Sequence, residues 1–183
     1  GTIYLQRGEY DFYYFSPALP VTSGKVTGLT SGVDYMAVKQ LTNVEPNGAD
    51  SKFHINQVQF GRLCSRLDIR VTPKSDNSFI ESIVLNTGGA KIKGLATGAE
   101  YTLGETAPAN ITGDGSVSLG TTDFKATTAG TGVNAKLTTE GQANIIVLPV
   151  AGRDLTVTLD LLIDGMSVPV SVTLTGTTLA AGY

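Results

Sequence analysis

Polar and apolar positions alternate most informatively between Phe60 and Pro73, FGRLCSRLDIRVTP. At period two, Leu63, Leu67, Ile69 and Val71 fall on one face, broken only by Ser65, while Arg62, Cys64, Arg66, Asp68 and Arg70 fall on the other. This predicts a half-buried strand; a helical reading would put Arg62, Arg66 and Asp68 into any apolar stripe. Full burial of the four aliphatic side chains is worth about 6 to 12 kcal/mol as an upper bound, which points to the centre of a sheet. A one-residue slip would turn the arginines inward, so the register is strongly specified.

The last third carries a second clear pattern. Ala143 to Val150, ANIIVLPV, is nearly continuous in apolar residues, as expected of a strand covered on both faces. Leu155, Val157, Leu159, Leu161 and Ile163 then alternate with mostly polar neighbours, and Met166, Val168, Val170, Val172 and Leu174 do the same. Asp164-Gly165 between the two runs predicts a two-residue hairpin, because both central residues of a type I′ turn need positive φ. Pro169 lacks an N–H, so the second arm is expected at a sheet edge. Val168, Pro169, Val170 and Val172 therefore lie along a candidate open edge, which a further strand could extend.

The remaining segments read as short strands between turn formers. Ile3 to Leu5 and Glu9 to Phe15 are dense in β-favouring residues, and Pro17 and Pro20 end the second. Aromatics on both of its faces suit core packing first and a contact surface second. Val33 to Gln40 reads as a strand, Asn43 to Ser51 as a loop and Phe53 to Phe60 as a lead into the arginine-bearing strand. Phe79 to Leu85 is a further strand, after which Gly88-Gly89 turns. Short strands are expected at Glu100 to Leu103, Val117 to Leu119 and Lys136 to Thr138. No helical periodicity of useful length occurs, so the chain is expected to be all-β. Short strands with turns between them predict a β-sandwich, or two small antiparallel ones, and Thr72 to Ser78 is the best boundary. The expected division is residues 1–73 and 74–183.

Totals narrow the function. The 183 residues leave one large or two small domains open. A net charge of −3 disfavours a nucleic-acid partner. A single cysteine excludes an intramolecular disulfide and any zinc site built from several cysteines. The chain is then either intracellular or secreted with its stability coming from burial alone. No apolar run approaches the length of a membrane-spanning helix. The chain opens at Gly1 beside an aromatic strand and stops at Gly182-Tyr183, as expected of a processed or truncated product.

Chemistry is hard to assemble from these residues. His54 is the sole imidazole and lies in a strand-like run between Phe53 and Ile55, where a packed or surface role outweighs a general base. Arginines on the face of Cys64 could lower its pKa, but a quiet thiol is the better reading. Glu45, Asn47 and Asp50 lack the oxygen spacing of a calcium loop. The paired glycines lack the helix and lysine of a phosphate cradle, and no spacing singles out a carboxylate pair. Asn110-Ile111-Thr112 is a glycosylation triplet, meaningful only in a secreted eukaryotic chain. Neither a cofactor nor a metal is expected, and an enzyme is the least favoured class.

Four segments in order carry a family likeness: YDFYYFSPA at Tyr10 to Ala18, GVDYM at Gly32 to Met36, FGRLCSRLDIRV at Phe60 to Val71 and NIIVLPV at Asn144 to Val150. Together they resemble the fimbrillin-like pilins of Gram-negative gut and oral anaerobes. The resemblance implies an extracellular two-domain sandwich of transthyretin-like type, exported as a lipoprotein through the outer membrane and built into fimbriae with other pilin subunits. It further implies that an N-terminal strand is removed and that the groove so exposed takes a strand from the next subunit. The lipobox and removed strand of that family do not occur here, and members usually continue beyond LAAGY. A competing reading is a surface module for host protein or glycan, using Tyr10, Tyr13, Tyr14 and Tyr35 as an aromatic platform.

Overall fold

A computed structural model describes residues 4–45, 58–71, 82–120, 125–129 and 138–182. The fold is all-β, and the described residues contain no helix. The strands are β1 (Gly8–Ser16), β2 (Val21–Thr22), β3 (Lys25–Leu29), β4 (Met36–Val44), β5 (Gly61–Arg62), β6 (Ser65–Val71) and β7 (Ile83–Leu95). They continue as β8 (Gly98–Thr102), β9 (Ala109–Thr112), β10 (Gly115–Leu119), β11 (Lys125–Ala129), β12 (Thr138–Val147), β13 (Val150–Ile163) and β14 (Met166–Leu179).

These strands form four antiparallel sheets, in the orders β1-β4-β5, β2-β3-β8-β9, β11-β12-β6 and β10-β7-β13-β14. Two apolar cores separate them. One joins Ile69 of β6 and Ala143, Ile145 and Val147 of β12 to Ile92 of β7 and Leu155, Leu159 and Leu161 of β13. The other gathers Val26, Leu29, Tyr35, Ala37, Leu63, Cys64, Tyr101, Leu148 and Val150. Each core lies between facing sheets, the arrangement of a sandwich. The division expected between residues 73 and 74 falls outside the described residues.

The stretch from Phe60 to Pro73 differs from its expected form. It is two strands rather than one: β5 pairs with β4 in one sheet, and β6 pairs with β12 in another. Leu63 and Cys64 are consecutive and both buried, which a single pleated strand does not permit, and the chain changes sheets at that point. Within β6 the alternation holds: Ile69 is buried, Leu67 and Val71 are half-buried, and Arg66, Asp68 and Arg70 are exposed. Ser65, the polar residue on the inner face, is buried and donates to the Ala180 carbonyl. β6 is an edge strand among the described residues rather than a sheet centre.

Other boundaries also move. Tyr4 and Leu5 lie outside any strand. The strand expected from Val33 begins at Met36 and runs on to Val44. Ala143 to Val150 is interrupted at Leu148-Pro149, so its ends belong to β12 and β13. Gly88-Gly89 is not a turn but the bulge of the continuous β7, where pairing with β13 slips between Leu159 and Leu161. Gly89 has a φ of 65°, and a Cβ there would stand 2.6 Å from the Leu119 carbonyl oxygen, so this bulge needs a glycine at that position. His54, Asn47 and Asp50 lie outside the described residues.

Candidate functional site

The expected hairpin is present. Asp164 and Gly165 have φ of 48° and 79°, the left-handed pair of a type I′ turn. Ile163 pairs with Met166, and the register continues without slip to Leu155 opposite Leu174. In such a turn the flanking pair is hydrogen-bonded, and hydrogen-bonded and non-hydrogen-bonded pairs alternate beyond it. Pro169, opposite Asp160, therefore falls in a non-hydrogen-bonded pair. Its ring costs the β13 ladder nothing and removes one donor from the strand's outer edge, the place where a strand proline is tolerated.

Among the described residues β14 pairs with β13 alone, so one side of a 14-residue strand is open. Its inner face carries Met166, Val168, Val170, Val172 and Leu174, of which Val168 and Val170 are half-buried and Val170 packs on the core. Val172 is 49% exposed and Leu174 42% exposed although both point inward. The facing sheet explains this. β11 and β12 both pack on β7, and β6 lies one place further along. The chain after β14 crosses to the start of β6, where Gly182 N–H donates to the Cys64 carbonyl at 3.1 Å. The edges of β6 and β14 thus lie on the same side of the sandwich, and no described strand covers the inner face of β14 there.

The two strands are tied near residues 64–65 and 180–182. Along their inner faces β6 carries half-buried Leu67 and Val71, and β14 carries exposed Val172 and Leu174. The sequence signal for Leu174 was its place in the alternation; nothing in the sequence marked β6 as its neighbour. On the other face of the same sheet, Gly88, Lys91, Thr158, Asp160, Pro169 and Ser171 line an open depression of about 270 Å³.

The four tyrosines do not form one platform. Tyr10 and Tyr14 share a face of β1 with Phe12 and are half-buried. The rings of Tyr10 and Phe12 lie 6.4 Å apart, and Tyr14 meets Phe60 edge-on at the same distance. Tyr13 is on the opposite face, where Lys39 sits 5.7 Å over its ring and pairs with Asp11 at 2.8 Å. The Asp11 carboxylate raises the Lys39 pKa above its ordinary value. Tyr35 is only 3% exposed, so its expected place on a contact surface is corrected. It packs on Phe15 with centroids 5.9 Å apart, and its hydroxyl accepts from the Thr30 N–H at 3.2 Å. A core tyrosine persists because that polar end is satisfied.

Cys64 is fully buried and its thiol faces the Val33 carbonyl at 3.3 Å. Burial pushes its pKa up, the opposite of what a reactive thiol needs. The Arg66 guanidinium grips Asp68 through two bonds of 2.8 and 2.9 Å and holds that carboxyl below the usual range. Among the described residues no three His, Cys, Asp or Glu side chains cluster as metal ligands.

Comparison with known proteins places this architecture. A family profile described as fimbrillin-like matches residues 1–183. The chain belongs to the fimbrillin-like family. No curated protein matches it. Among solved structures, a Bacteroides fragilis NCTC 9343 protein described as a "putative cell adhesion protein" superposes with a TM-score of 0.60 at 18% identity. The alignment covers 98% of this chain and 59% of that one, so this fimbrillin-like chain spans about three-fifths of that protein's length. At that identity the likeness concerns the fold.

Proposed function

We propose that this fimbrillin-like chain is a structural, non-enzymatic subunit of cell-surface fimbriae that joins other pilin subunits by strand exchange. The observation that carries the reading is the side of β14 that no described strand pairs, with Val168, Pro169, Val170 and Val172 along it. Val172 and Leu174 point inward and remain nearly half exposed. A sandwich that lacks a strand presents unpaired backbone groups and uncovered apolar side chains, and an extended segment of another chain satisfies both. Covering the exposed halves of Val172 and Leu174 contributes roughly 1.5 to 3 kcal/mol before ordering costs, and the new backbone ladder adds to it. Family membership supports a place at the cell surface, reached by export through the outer membrane as a lipoprotein precursor.

The test is assembly of the full-length subunit before and after proteolytic trimming, followed by electron microscopy and sedimentation. Fibres or ladders of oligomers are expected after trimming, and Val172→Asp should suppress them. A protein that stays monomeric under every treatment refutes strand exchange.

A second reading, adhesion to a host protein or glycan, is favoured by the row of Tyr10, Phe12, Tyr14 and Phe60, with Tyr13 on the reverse face. The adhesion description of the structural neighbour is consistent with it. Binding to a glycan array that disappears in Tyr10→Ala and Tyr14→Ala, with assembly intact, would establish it.

A further inference from the structure

We infer that the depression on the outer face of the sheet β10-β7-β13-β14 binds a single saccharide ring that carries an acidic substituent. The site does not depend on strand exchange, because it opens on the face opposite to that of Val172 and Leu174, and it takes no part of the tyrosine row. A bulge in β7 shapes it. Between the pairs Ala90–Leu159 and Leu85–Leu161, the four residues Asn86, Thr87, Gly88 and Gly89 lie opposite Asp160 alone. Two adjacent residues without side chains leave the surface open there, and a bulge of this kind re-aims the side chain that faces it. The Asp160 carboxylate rests against the bare Gly88, where a Cβ would stand 2.5 Å from Oδ2.

Groups of complementary character meet in this depression. Asp160 is half-buried and has no basic partner among the described residues; its Oδ1 accepts a long bond of 3.4 Å from the Ser167 hydroxyl. A carboxylate has about four lone-pair sites, so most of its accepting capacity is left for sugar hydroxyls. Lys91 stands opposite Thr158, and Asp160 is two residues further along β13, a diagonal of roughly 7 to 8 Å. Lys91 is exposed and has no carboxylate partner among the described residues either, so its ammonium donors are available to an anion. The Pro169 ring, opposite Asp160, offers an apolar surface to ring C–H groups. On the next rung Thr158 faces Ser171, and Thr158 Oγ1 donates to the Lys91 carbonyl at 3.1 Å, which leaves its lone pairs to accept.

A cation and an anion spanned by one substituted ring select a ligand with both hydroxyl donors and a negative group. A neutral sugar leaves Lys91 unanswered, and an acid without hydroxyls leaves Asp160 so. The volume of about 270 Å³ lies just below the roughly 300 to 1,000 Å³ of pockets for drug-sized ligands, so one ring is the unit recognised. The carboxylate of a uronic or sialic acid and the sulfate ester of a neutral sugar present the same charge to Lys91.

Amide NMR titration of the full-length subunit tests this with a galacturonate oligomer, sialyllactose, a sulfated disaccharide and lactose. At least one acidic probe should saturate, shift the amides of Gly88, Gly89, Thr158 and Ser171, and bind about tenfold more tightly than lactose, the factor of one charge-assisted hydrogen bond. The acidic probe that does so names the source of the charge. Lys91→Gln should lose about tenfold in affinity, whereas Lys93→Gln, two residues along the same face of β7, should lose less than about twofold. Gly88→Ala should abolish binding with its circular dichroism spectrum kept, because its Cβ displaces the Asp160 carboxylate. Tyr10→Ala should bind as the wild type does. Saturation by none of the acidic probes, equal binding of lactose, or equal losses in Lys91→Gln and Lys93→Gln overturns the assignment. Binding lost in Tyr10→Ala and kept in Lys91→Gln overturns it too, in favour of the tyrosine row. None of these outcomes bears on assembly.

Discussion

β13 and β14 are the two arms of one hairpin, equal in length and alike in their alternation, yet one is enclosed and the other open. The rung formed by Leu155 and Leu174 shows the contrast: both side chains point inward, and the first is 0% exposed while the second is 42% exposed. β13 has a neighbour on each side and a sheet above it, whereas β14 has one neighbour and no described strand above its outer half. Alternation along a strand determines which side chains face inward. Whether anything lies over them is decided by how many strands the opposite sheet contains.

The strongest challenge to this contrast is truncation on that single rung. Leu155→Ala should cost about 2 to 5 kcal/mol, the range for emptying a tightly packed leucine site, while Leu174→Ala should cost less than about 1 kcal/mol. Equal losses in chemical denaturation would mean that the open arm is covered in solution. Gly165→Val should be next, at about 1 to 2 kcal/mol, because a branched residue is forced to positive φ at the turn holding both arms together. Pro169→Val should change stability by less than about 0.5 kcal/mol. It restores a donor on the open edge, so concentration-dependent association should rise in sedimentation velocity runs.

The smallest effect concerns pH. The folded-state pKa of Asp68 is depressed by Arg66, so its contribution is present above the unfolded value near 3.9 and is lost as pH falls through the lower folded value. The pair is exposed, so the contribution is slight. An NMR titration should find the Asp68 carboxyl below the ordinary range, and Arg66→Gln should return it there.

Local chemistry made some of this legible and tertiary context hid the rest. The Asp164-Gly165 hairpin could be read because positive φ at two adjacent positions is a demand on residue type alone. The edge position of β14 followed from Pro169, and the faces of β6 from period two. The break at Leu63-Cys64 could not be read, since consecutive burial arises only because two sheets meet there. Gly88-Gly89 was ambiguous because glycine serves both turns and bulges, and the Leu119 carbonyl that crowds Gly89 comes from another strand. Pro149 was a legible stop in ANIIVLPV, but continuous apolarity masked it. Tyr35 read as surface because its ring partner Phe15 lies twenty residues away in sequence. The tie between the start of β6 and the end of β14 joins strands remote in sequence, and no local pattern announces it.

The changes of sheet at Leu63-Cys64, Ala96-Thr97 and Gly113-Asp114 carry the chain between the two cores, and between Val147 and Leu155 it enters the second core at Leu148 and Val150 and returns. A pull that separated those cores would meet several covalent tethers in parallel instead of one slack joint. In a filament under shear from flowing liquid, tension would be divided among them, and each link would lengthen little before its hydrogen bonds began to part.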